Sequence, residues 1–87
     1  MSMSHVFDTY AKTVKGRIMH FDVVLDNKDP EMAITYAKEW LASIGESDAI
    51  VNQTNCVFCH SAEAPTDIRN EIDTKGYSIL KLEGCPK

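Results

Sequence analysis

The feature that most narrows the fold of this chain is a change of apolar period partway along it. From Ile18 to Leu25 the period is two: Met19, Phe21, Val23 and Leu25 alternate with Ile18, His20, Asp22 and Val24. Alternation of that kind marks a half-buried strand. The preceding His5-Val6-Phe7-Asp8-Thr9-Tyr10 is rich in β-branched and aromatic residues. Gly16, which tolerates positive φ, supplies a turn at Lys15-Gly16. His5 to Leu25 therefore reads as a β-hairpin. The period then changes to that of a helix. Asp29 is placed as N-cap, Pro30 as first helical residue and Glu31 near the positive end of the dipole. Ala33, Ala37, Trp40, Leu41 and Ile44 share one face, and Gly45 is a C′ residue.

The rest of the chain repeats the alternation of elements. Ala49–Gln53 reads as a short strand, followed by a loop that carries a cysteine motif. Pro65-Thr66-Asp67 opens a second helix, with Thr66 or Asp67 as cap, Ile68 and Ile72 stacked at i and i+4, and Gly76 as terminator. Tyr77–Glu83 is a last strand, and Gly84–Lys87 a tail. The order is β-β-α-β-α-β. Right-handed crossovers predict an α+β two-layer sandwich: a four-stranded mixed sheet with both helices on one face and the other face partly open. The expected core is Phe21, Val23, Trp40, Leu41, Ile44, Ile68 and Ile72, with Leu80 or Ile79.

With 87 residues, the chain has room for a single domain, residues 1–87, with one thin core. A net charge of −4, with nine Lys and Arg and no basic run, argues against a nucleic-acid partner. No window approaches the ~20 apolar residues of a membrane span. Met1–His5 lacks the cationic start and apolar run of a secretory signal, so the expected location is the cytoplasm. Three cysteines, an odd number, argue against a disulfide scaffold.

Two sets of residues could carry chemistry. The first is Cys56-Val57-Phe58-Cys59-His60. The C-x-x-C-H spacing is that of covalent haem attachment, but the chain is short and shows no export signal. Two cysteines at this spacing with His60 are also a zinc chelate, with Cys85, or else His20 or His5, as fourth ligand. Thiol redox chemistry is a third use, although the second helix starts too far along for its dipole to activate Cys59. The plainest use is packing, with both cysteines as small apolar residues and Phe58 pinning the loop to the core. The second set is the polar side of the hairpin. If Phe7, Thr9 and Ala11 join the Phe21/Val23 face, then Asp8, Tyr10 and Lys12 join His20 and Asp22 on the open face. That set serves acid–base chemistry, ligand binding, a homo-oligomer interface, or simply a solvated surface with a His20–Asp22 ion pair.

Taken in order, several short motifs resemble a family of small bacterial proteins catalogued as a domain of unknown function. They are His5-Val6-Phe7-Asp8-Thr9-Tyr10, Met19-His20-Phe21-Asp22-Val23, Ala37-Lys38-Glu39-Trp40-Leu41, Cys56-x-Phe58-Cys59-His60-Ser61, Gly76-Tyr77 and Glu83-Gly84-Cys85. The resemblance spans nearly the whole chain. It implies a compact α+β fold and a bacterial cytosolic setting, with no activity or site attached. The expectation for function is a non-enzymatic binding or protein-interaction module that self-associates. The alternative is a zinc-binding or thiol-redox protein using Cys56, Cys59, His60 and Cys85.

Overall fold

The structure, a computed structural model, describes residues 3–51 and 56–83. Strands β1 (Met3–Lys12) and β2 (Ile18–Leu25) form the expected antiparallel hairpin. Its five-residue connection closes with the Thr13 N–H donating to the Arg17 carbonyl at 2.8 Å and the Gly16 N–H to the Thr13 carbonyl at 2.9 Å. Gly16 sits at φ +85°, the left-handed region where a side chain would strain the backbone. Helix α1 (Pro30–Ser43) begins where its cap predicts: the Asp29 carboxylate accepts the Glu31 N–H at 3.0 Å. Strand β3 is Cys56–Glu63, α2 is Thr66–Lys75 and β4 is Tyr77–Glu83. The residue before α2 is Pro65, which offers no side-chain cap. The cap expected at Thr66 or Asp67 is therefore already inside the helix. No helix among the described residues is long and apolar enough to cross a membrane.

The element order β-β-α-β-α-β and the α+β class are as expected, but three particulars of the architecture differ. First, the third strand is not Ala49–Gln53. Of that stretch, Ile50 makes only an isolated bridge to Lys12, and residues 52 and 53 lie outside the described residues. The cysteine motif, expected on a loop, is itself the strand. Second, the sheet is antiparallel at all three pairings, not mixed, with order β3-β1-β2-β4. The α1 crossover does join strands of the same direction, β2 and β3, but it passes over β1, so they never become neighbours.

Third, the helices lie on opposite faces, so the arrangement is not a two-layer sandwich with both helices on one side. Phe7, Thr9 and Ala11 of β1 share a face with Met19, Phe21, Val23 and Leu25 of β2, and α1 covers that face. Trp40 packs its ring 4.7 Å from Phe21, and Tyr36 stacks on Tyr77 at 4.6 Å. The other face begins with Ser4, Val6 and Val24, and α2 covers only that end, burying Ile72 against Val6 and Val24 with Ile68 and Leu80 alongside. The predicted core therefore splits in two: Phe21, Val23, Trp40, Leu41, Ile44 and Ile79 on the α1 side, and Ile68, Ile72 and Leu80 under α2. The physical reason is visible in the strands. Val6-Phe7 and Val23-Val24-Leu25 are consecutive apolar residues, and a strand end that is apolar on both sides needs cover on both.

Polar contacts fasten α2 in place. Arg69 donates to Asp26 at 2.8 and 2.9 Å and to the Ser4 hydroxyl at 2.6 Å. The Ser78 hydroxyl donates to Glu71 at 3.0 Å. Beyond this end, the second face continues without a helix over it.

Candidate functional site

The uncovered part of the second face is built by the hairpin register. Asp8 stands directly opposite Asp22, Tyr10 opposite His20 and Lys12 opposite Ile18. Strand geometry points these six side chains to the same side, because Phe7, Thr9 and Ala11 between them are buried under α1. The sequence therefore brings together the full set Asp8, Tyr10, Lys12, His20 and Asp22. Tyr10, Ile18 and Val57, the last opposite Asp8 on β3, are exposed.

At the centre are two carboxylates and an imidazole. His20 Nε2 contacts Asp8 Oδ1 across the strands. One ligand atom from each of Asp8, His20 and Asp22 lies within 4.8 Å of the other two. Tyr10 stacks on the His20 ring, 4.2 Å between centroids and 7° from parallel, which holds the imidazole in position. Partial burial pushes the Asp22 carboxyl above the usual carboxylate range. The hydrogen bond and negative charge of Asp8 push the same way, against the opposing influence of His20 and His60. Like charges directly opposite on neighbouring strands repel, so this pair favours a proton or a positive group between its oxygens.

The cysteine motif takes a different form. Cys56 lies opposite Thr9 and points into the α1 core, where the Thr9 hydroxyl donates to its sulfur at 3.4 Å. Burial pushes that thiol's pKa up, with the hydrogen bond opposing and Asp8 adding to the rise. Phe58 does anchor the segment, edge-on to Phe7 at 5.7 Å with the Lys28 ammonium 4.2 Å from its ring centre. The ladder shifts register here: Phe58 pairs with Phe7, but His60, not Cys59, pairs with Val6. Cys59 is the extra residue of a β-bulge. It is exposed, with His60 Nδ1 3.2 Å from its sulfur. Cys56, Cys59 and His60 form no converging trio of ligand atoms among the described residues, and Cys85 lies outside them. Alternation along a strand explains the divergence, with one sulfur inward and the other at the bulge.

His60 is the residue whose place sequence reasoning missed. The motif groups it with the cysteines, yet its pairing with Val6 turns it to the second face of the sheet, where it is exposed. No pattern in the sequence marks this, since it depends on the bulge one residue earlier. The other histidine considered as a ligand, His5, pairs instead with Ser61, 2.7 Å from Nδ1 to Oγ.

Comparison with known proteins fits this picture. The family model described as Domain of unknown function (DUF2024) matches residues 1–82. No curated protein matches the chain. The NMR structure of protein NE1680 from Nitrosomonas europaea is similar at 49% sequence identity and a TM-score of 0.87, covering 97% of this chain and 99% of that one.

Proposed function

The chain belongs to the family Domain of unknown function (DUF2024), and since membership assigns no activity, we propose from the site itself that this is a binding module that recognises a positively charged group on its uncovered sheet face. The carrying observation is the pair Asp8 and Asp22, set directly opposite one another with His20 beside them. Two half-exposed carboxylates held together by backbone register have a standing electrostatic deficit, and a cation relieves it. His20 is held between Tyr10 and Asp8, which gives the two carboxylates a fixed polar neighbour.

The test is an NMR titration at low salt with three probes: Zn²⁺, Mn²⁺ and a short lysine-rich peptide. The reading expects at least one probe to shift or broaden the His20 ring signals and the Asp8 and Asp22 amides. That response weakens with added salt and is lost in Asp22→Asn. If none of the three probes disturbs those signals, the reading is wrong.

A further inference from the structure

The same face carries its own complement. Moving along β1 away from α2, the rows read Asp8 with Asp22, then Tyr10 with His20, then Lys12 with Ile18. The negative row and Lys12 are four residues apart, roughly 14 Å at ~3.4 Å per residue, with the aromatic row midway. Lys12 is exposed and makes no ion pair among the described residues. Turning a second copy about an axis that lies across the strands above Tyr10 brings each Lys12 over the other copy's Asp8 and Asp22. A two-fold axis along the strands would instead set carboxylates against carboxylates. Of these two face-to-face arrangements, the charges select the first.

Shape agrees with charge. The molecule is a step: α2 stands on the Val6/Val24 end of this face, and the hairpin runs out bare at the other, in a body 41 Å long and 24 Å wide. In the arrangement selected by charge, the two α2 helices fall at opposite ends of the interface rather than against each other. The exposed side chains of Tyr10 and Ile18 then lie between sheets about 10 Å apart. We infer that the uncovered sheet face is a self-complementary interface for a second copy of this chain, with Lys12 of each protomer received by Asp8 and Asp22 of its partner. This identifies the cation of the proposed function and rests on that reading. The interface is isologous, so each contact occurs twice. A face limited to the bare end of one hairpin makes a weak dimer, dissociating in the micromolar range or above.

Sedimentation velocity from ~10 μM to ~1 mM tests this directly. Wild type shifts from monomer to dimer across that range at low salt. Lys12→Glu faces the partner's acids with another acid, and Asp22→Lys faces Lys12 with another cation. Each variant alone dimerises at least ~10-fold more weakly. Mixed in equal amounts they recover dimerisation in part, since the heterodimer keeps one wild-type contact and at the other sets the new acid against the new cation, with Asp8 beside it. A folding defect does not produce recovery on mixing. A wild type that stays monomeric throughout, or variants that fail to recover together, overturns the inference. Neither result touches the cation titration above, which reads the monomer's own carboxylates.

Discussion

At the scale of single residues, Asp22 is the most informative position. Its carboxyl pKa is raised by burial and by Asp8, so the folded state holds that proton more tightly than the unfolded chain does. As pH rises from the unfolded value near ~3.9 through the raised folded value, Asp22 makes folding progressively less favourable. Above that window the deficit is constant. Asp22→Asn is therefore expected to raise the midpoint of thermal unfolding at pH 7, by a margin that vanishes below about pH 4, where both residues are neutral. A fall at pH 7 means that the Asp22 charge is favourable in the native state. Part of this pairing was legible. The apolar set requires Phe7, Thr9 and Ala11 to share a face with Phe21 and Val23, which puts Asp8 and Asp22 together opposite. A two-residue turn at Lys15-Gly16 would instead set Asp8 against Val23 and break that pattern. The five-residue connection Thr13–Arg17 satisfies it.

At the scale of elements, α1 was fully readable, α2 was readable in its extent but not in the face it covers, and β3 was not readable. Asp29, Pro30 and Gly45 delimit α1 through local chemistry that needs no tertiary partner. Helix α2 has weaker signals: Pro65 caps nothing, and of its side chains only Ile72 is buried. Its place comes from Val6 and Val24 beneath it and from Arg69 bridging to Asp26 and Ser4. The hydrogen bond from Arg69 is the main reason why the Asp26 carboxyl sits below the usual carboxylate range. That support is present above the unfolded carboxylate pKa and is lost as pH falls through the lowered one. Arg69→Ala should speed amide hydrogen exchange in α2 by at least ~10-fold at neutral pH, with β1 and β2 little changed. Equal acceleration in all elements would show instead that α2 opens only with the whole molecule. Strand β3 escaped notice because its cysteine motif has few β-branched residues and the bulge at Cys59 interrupts its period of two. Ala49–Gln53, more strand-like in composition, pairs at Ile50 alone among its described residues.

At the scale of the whole molecule, stability is concentrated on one side of the sheet. Phe7, Met19, Phe21, Val23, Leu25 and Leu41 are all almost completely buried in the cluster that α1 closes, while the α2 side has only Val6, Val24 and Ile72 in its buried centre. Trp40 is the largest side chain of the first cluster. Trp40→Ala is expected to cost about 3–5 kcal/mol in chemical denaturation. That is a large share of the roughly 4–13 kcal/mol available to a domain of this length, so the variant should be close to unfolding at body temperature. A loss under ~1 kcal/mol would mean that α1 is not the principal lid of the core.

The amino-acid order alone determined the hairpin, the first helix, the element sequence and which polar residues gather on one side of β1 and β2, because each follows from short-range periodicity, capping and the alternation of a pleated strand. Tertiary structure alone decided that α2 crosses to the opposite face, that the cysteine segment is an edge strand with one sulfur buried and the other exposed, and that His60 turns to the second face of the sheet. Those outcomes depend on which apolar surfaces remain to be covered once the sheet has formed, and on a one-residue bulge that reverses side-chain direction, neither of which leaves a local trace in the chain.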